Sequence, residues 1–437
     1  MKTMTTFQII LTVSFGVVAV LGVFFFSIAR FNTGADAPGN TQGGVVIWGT
    51  IDESVVRGVI TRLQETYKGF DVTYVQKRDE VFDQDLVESI ANGVGPDAVF
   101  LSHDLIERHK QKITQIPFES LSVRTFRDTF VEEAELYLTN TGMIGFPFLI
   151  DPMVMYWNRS IFANAGLARP PREWVEFHDL ARTLTMKDAA GNITRATAPL
   201  GGFSNITHAK SLVTLLIMQA GNPIIEYNNE TGNRRVVLTA NDNNGSTPVI
   251  SALDFYTEFS NPSAASYTWN RSLPNSQDLF VSGDLALYFG FGSELQEIRK
   301  KNPNLNFDIV MMPQIQGETT RMTFGKMQAI TVLKSAKNPQ GAFVAMRELT
   351  GTIATQYLIE HSNYAPVRRD LVNNVNPRNP YKSVLYTSGL IARGWLDPNP
   401  DKSNLIFRMM IENITSGLQS PESAVSRANN ELNLLVK

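Results

Sequence analysis

Cysteine is absent from the 437-residue chain. Disulfide scaffolds, cysteine-ligated zinc, iron–sulfur clusters and cysteine nucleophiles are thereby excluded. Histidine is scarce as well, with five residues to supply any metal or acid–base chemistry. Neither sign of charge dominates: 39 Lys and Arg stand against 42 Asp and Glu, a formal net charge of -3. The basic residues are dispersed, so they do not make the concentrated face that phosphate contacts require, which argues against nucleic acid as a partner. No H-E-x-x-H, G-x-S-x-G or G-x-x-x-x-G-K-[ST] occurs, and Gly290-Phe291-Gly292 lacks the third glycine of a dinucleotide loop. Asn241-Asp242-Asn243-Asn244-Gly245 is oxygen-rich, but its glycine has the wrong offset for a calcium loop and no Glu closes the frame. It reads as a polar turn. No metal, cofactor or catalytic residue is expected.

What is present begins with length, which at roughly 100–200 residues per domain predicts two or three domains with sizeable cores. Between Lys2 and Arg30 no residue is charged, and residues 7–28 read FQIILTVSFGVVAVLGVFFFSI. At about 1.5 Å per residue this run crosses a hydrocarbon core of about 30 Å. It is longer than the usual secretory h-region of about 7–15 residues, and Ala35-Asp36-Ala37, the nearest small-x-small pattern, lies well downstream. An uncleaved signal anchor is therefore preferred to a cleaved signal peptide, with a short cytoplasmic tip and the large domain outside the cell. Residues 31–44, rich in Gly, Asn, Thr and Pro, read as a flexible spacer.

Val45-Val46-Ile47-Trp48 and the alternating Phe70, Val72 and Tyr74 read as strands, separated by a helix over 55–67. Phe82, Leu86 and Ile90 recur at helical spacing, and Gly95-Pro96-Asp97 turns into the apolar run Ala98-Val99-Phe100-Leu101. Strand–helix–strand–helix–strand predicts right-handed crossovers and a parallel sheet, with ligands beyond the carboxyl ends of the strands. Residues 146–157 read as extended through two prolines, and further helices and strands are predicted as far as the terminal helix opened by Ser420-Pro421-Glu422. Extended passages at 145–153, 310–315 and 363–368 are candidates to carry the chain between two lobes.

Asp52, Asp104 and Asp151 each follow an extended run, where a carboxylate accepts paired hydrogen bonds from vicinal hydroxyls; equally, each suits a helix cap or turn. Among the tryptophans, Trp48 and Trp157 sit in apolar runs that predict core packing, and Trp174 opens a helix. Trp395 lies among loop residues and is the preferred ligand-facing aromatic.

Several ordered segments resemble the extracellular solute-binding proteins of ABC importers, the family that includes maltose-binding protein. They are Val46-Ile47-Trp48 with Asp52, Gly95-Pro96-Asp97 through His103-Asp104, and Gly145-Phe146-Pro147 through Tyr156-Trp157-Asn158. Ala165-Gly166-Leu167 and Pro170-Pro171-Arg172-Glu173-Trp174 follow, then Phe280 to Leu287, Ser335 to Ala342 and Tyr364-Ala365-Pro366-Val367-Arg368. The resemblance covers nearly everything from Val45 onward. It implies an α/β, two-lobed periplasmic-binding-protein-like fold with a multi-strand hinge, here preceded by one N-terminal transmembrane helix. Lobe 1 is expected at 45–149 plus 315–363 and lobe 2 at 150–314 plus 364–437. Carried over position by position, the implied ligand contacts are Thr50, Asp52, Ser102, Asp104, Asp151, Phe291, Ser293 and Trp395. The implied ligand is a sugar or oligosaccharide, and the implied partner is an ABC permease that receives it without catalysis. In place of a lipid-anchor cysteine, the hydrophobic N-terminus would hold the protein at the cell membrane. A surface sensor or adhesin on the same fold, or an enzyme using two carboxylates, are the alternative readings.

Overall fold

The computed structural model describes residues 39–227, 234–242, 245–372 and 379–436. The expected membrane segment and the first part of the expected spacer lie outside these residues. Among the described residues, no helix is long and apolar enough to cross a membrane.

Strands β1 (Val45–Gly49), β2 (Val72–Gln76) and β3 (Ala98–Ser102) alternate with helices α1 (Glu53–Thr66) and α2 (Asp79–Ala91). Helix α1 forms because Val56, Val59, Ile60 and Leu63 recur on one face, all buried, while Asp52 closes its N-terminus. β1 pairs in parallel with β2, Val45 against Val72, and with β3, Ile47 against Ala98. Asp97 of the Gly-Pro-Asp turn is buried and acts as a junction: it accepts hydrogen bonds from the amides of Val46, Lys337 and Asn338. Those bonds tie β1 to the start of a much later helix.

The sheet continues through four more strands and a short edge piece. These are β4 (Phe146–Asn158), β5 (Leu287–Phe291), β6 (Phe307–Met311), β7 (Thr323–Val332) and β8 (Ala392–Arg393). The order is β5-β4-β7-β3-β1-β2, with β6 also on β4 and β8 on β7. The parallel arrangement expected from the crossovers holds for β1, β2 and β3, but β7 runs antiparallel to both β3 and β4. The sheet is therefore mixed, because β7 returns from the far side of the molecule. The first half of β4 pairs with β7 as far as Pro152, and its second half pairs with β5 and β6 from Met153 onward. One strand thus belongs to two packed bodies, and the fold is a two-lobed α/β architecture.

Helices complete each body. α3 (Ala209–Gln219) is buried on nearly every side, as its uniformly apolar sequence requires, and packs with α4 (Pro248–Glu258). α5 (Pro339–Leu349) and α6 (Thr352–His361) cover α1; α7 (Pro380–Leu390) lies on β4 and β6. α8 (Pro400–Thr415) and α9 (Pro421–Val436) pack on one another and on α4. α4, α5, α7 and α8 all open with proline, whose missing N–H costs nothing in the first turn.

The end of the expected spacer is part of the folded body. Thr41 is fully buried; its hydroxyl accepts from the Asp71 amide and its carbonyl accepts from the Asn338 side chain. A Gly- and Asn-rich composition hides this clasp, because one small polar side chain makes it.

Candidate functional site

Between the two bodies lies a cleft of about 640 Å³. The loop after β3 supplies His103 and Asp104, and β7 supplies Phe324 and Lys326. The other body supplies Phe203, Ile206, His208 and Lys210 around the start of α3, and Trp395, Asp397, Asp401 and Arg408 from the loop into α8 and its first turns.

His103 is buried, and its Nδ1 accepts the Met327 amide N–H at 3.2 Å. That bond assigns the proton of the neutral ring to Nε2, which has no hydrogen-bond partner among the described residues. Burial holds the His103 pKa below its usual value, so the ring is a neutral donor at pH 7. Gly394 makes room for it: a Cβ there would lie 2.9 Å from Nε2. Asp104 is pushed upward by burial, but nearby positive charge, Lys210 and Lys326 included, and the Ser102 hydroxyl outweigh that and hold it below the usual carboxylate range. It is therefore an ionised acceptor in the cleft.

The cations have different duties. Lys210 bonds to Asp397 and Ser403, and Asp397, 1% exposed, also accepts from the Asn399 amide. This network is structural; it fixes the loop that carries Trp395. Lys326 instead makes no hydrogen bond to any described residue, and its Nζ sits 4.2 Å from the Phe291 ring centroid. Its three N–H donors remain for a ligand. His208 occupies the left-handed region at φ 61°, a strained conformation for a residue with a Cβ, and bonds to Glu294 at 2.7 Å. Burial opposes ionisation of Glu294, but His208, Tyr288 and the Phe291 amide bring its pKa to about 2. Asp104, His103 and Lys326 thus offer an acceptor and two donors, flanked by Phe203, Phe324 and Trp395.

Of the residues expected from sequence, Asp104 and Trp395 line this cleft. Ser102, the last residue of β3, stands beside Asp104 and contributes to lowering its pKa. Phe291, Ser293 and Asp151 form the layer beneath: Phe291 is buried under Lys326 and edge-on to His208, and the Ser293 amide donates to the buried Asp151 at 3.0 Å. Thr50 and Asp52 lie outside the lining, in the turn after β1, where Asp52 accepts from the amide and hydroxyl of Ser54 as the cap of α1. The hydroxyl is the main cause of the lowered Asp52 pKa. His103, Lys326 and the α3 and α8 segments are absent from the contacts expected from sequence. The signal for Lys326 is a lone charge inside a largely apolar strand.

The sequence profile of the bacterial extracellular solute-binding proteins matches residues 48–355. The chain belongs to that family. No curated protein sequence matches it. Solved structures similar to this member of the family include a cyclo/maltodextrin-binding protein complexed with maltotetraose, at TM-score 0.69 and 15% identity, covering 92% of this chain and 98% of that one. An ABC transporter solute-binding protein from Thermotoga lettingae bound to α-D-tagatose aligns at TM-score 0.65 and 18% identity, covering 90% and 100%. The GacH receptor of Streptomyces glaucescens, solved unliganded and with acarbose, aligns at 0.69 and 15%, covering 90% and 98%. At these identities the likeness establishes the shared fold.

Proposed function

We propose that this family member is the solute-binding component of an ABC importer, taking a carbohydrate-like solute into the interlobe cleft and delivering it to a permease without catalysis. The observation that carries this reading is the convergence of Asp104, His103 Nε2–H and Lys326 on one aromatic-flanked cleft, since hydroxyl groups both donate and accept. The carbohydrate ligands of the similar structures support the choice of class. Lobe 1 comprises 45–149 and 315–363, and lobe 2 comprises 150–314 and 364–437. Solute touching both favours the closed form.

A thermal-shift screen of maltotetraose, acarbose, tagatose and other neutral saccharides should raise the melting temperature for at least one, because a ligand of the native state stabilises by mass action. For that saccharide, Asp104→Asn should weaken affinity about 10- to 100-fold, the value of a charged hydrogen bond of about 1.5–3 kcal/mol, whereas Asp52→Asn should leave it unchanged. A response to amino acids or peptides alone, or full affinity in Asp104→Asn, refutes this assignment.

The N-terminal run is proposed as the membrane tether. Mature protein should begin near Met1 and resist an alkaline wash of membranes, since an apolar span is held by lipid burial. A soluble form beginning after Ala29 or Ala37 would contradict it.

A further inference from the structure

Two neighbouring residues of the first lobe reach across the mouth of the cleft. Glu107 pairs with Arg234, and Arg108 Nη1 lies 3.6 Å from Asp401. Both belong to the single helical turn Ile106–His109 that follows Asp104. Arg234 and Asp401 belong to the other body. Arg234 opens the strand Arg234–Val236, which is held to α9 by the Asn433 side chain; Asp401 lies in the first turn of α8 and lines the cleft. The Glu107 pair is sheltered, with side chains 11% and 21% exposed, and the Arg108 pair is open to water on the Asp401 side.

Each first-lobe residue also holds a partner within its own lobe. Glu107 accepts from Lys110 at 2.8 Å, and Arg108 bonds to Asp83 at 2.6 Å. Separating the lobes would therefore leave neither Glu107 nor Arg108 buried and unpaired, which is the condition that makes breaking a buried ion pair so costly. A contact that forms on closure and has a fallback on opening is reversible by construction. We propose that Glu107–Arg234 and Arg108–Asp401 form an electrostatic latch across the cleft mouth. The latch favours the closed form independently of solute, with the sheltered Glu107–Arg234 pair as its main element. It biases the closure equilibrium rather than recognising the ligand, so its failure would leave the carbohydrate assignment standing.

The absence of cysteine allows a direct test. Gln111→Cys and Ser423→Cys place spin labels at exposed positions on the two lobes of the full-length protein in non-ionic detergent, without added solute. Pulsed electron resonance then reads the interlobe distance distribution. Glu107→Arg and Arg234→Glu singly should each reduce the short-distance population about threefold or more, as should 1 M salt. The double variant Glu107→Arg with Arg234→Glu should restore it. Glu107→Gln, which keeps shape and removes charge, gives a milder shift in the same direction and covers the case in which a reversal fails to fold. Unchanged distributions in Glu107→Gln and both reversals, or no recovery in the folded double variant, overturn the latch.

Discussion

Asp151→Asn is expected to stabilise the protein at pH 8, by about 2–4 kcal/mol, and to do so progressively less toward pH 4. Asp151 sits where β4 passes from one body to the other, 7% exposed, accepting from the Ser293 amide and lying near Lys326. Burial raises its pKa from 3.8 to about 7, more than the Ser293 bonds and Lys326 lower it. In the unfolded chain the carboxyl ionises near 3.8, so between that value and 7 the folded state binds the extra proton. Folding stability contributed by this proton is complete below 3.8, falls as pH rises, and is gone above 7. Every tenfold difference in proton affinity between the folded and unfolded chain is worth about 1.4 kcal/mol. Asn keeps an acceptor for Ser293 and has no charge to bury, so the difference between variant and parent should grow from pH 4 to 7 and then level off. Denaturant titrations across that range would measure it. A variant that is less stable at pH 8, or a difference independent of pH, would show that Asp151 is ionised in the fold.

Trp269→Ala should cost about 3–5 kcal/mol, the cost of emptying a fully buried aromatic site. Trp269 is 0% exposed, and its Nε1–H donates to Asn205 Oδ1 at 3.0 Å. Asn205 in turn donates to the carbonyls of Asn270 and Leu273, so one indole and one amide tie two loops together. Gly202 lies against the ring so closely that a Cβ there would be 2.9 Å from it. The loop held in this way carries Phe203, Ile206 and His208 to the cleft. Differential scanning calorimetry should show a lower melting temperature, and affinity for the responding saccharide should fall as well, although Trp269 is no part of the lining. A loss of stability below about 1 kcal/mol would mean that the site collapses around the missing ring.

The elements that periodicity revealed are those with one uninterrupted task. α1 has a clean buried face, α3 is apolar throughout, and β3 is a short closed run, so each is read from residue type alone. β7 is the instructive omission. It is the central strand, yet Gly325, Lys326 and Gln328 interrupt its apolar pattern. Lys326 is there because the strand passes the cleft, and Gly325 because the Glu133 carboxylate packs behind it in the space a Cβ would take. The demands of the cleft thus erase the signature of the strand that builds it. Aspartate shows the converse ambiguity. Asp52, Asp104 and Asp151 share a residue type and a position after extended chain, but they become an exposed cap, a cleft carboxylate and a buried hinge group. Only the placement of other segments around them separates these fates, and that information lies in contacts distant along the chain.

The return of β7 to the edge of β3 also dictates an order of events during synthesis. The Val99 carbonyl and the Thr331 hydroxyl that meet across these strands are 232 residues apart. At about 5–20 residues per second, a growing chain needs on the order of 10–50 s to deliver the second after the first. Throughout that interval β3 offers an unpaired edge of buried-type residues, Ala98 to Leu101, of the kind that templates intermolecular pairing. The β3 edge of the first half is therefore completed only after the second half has been made.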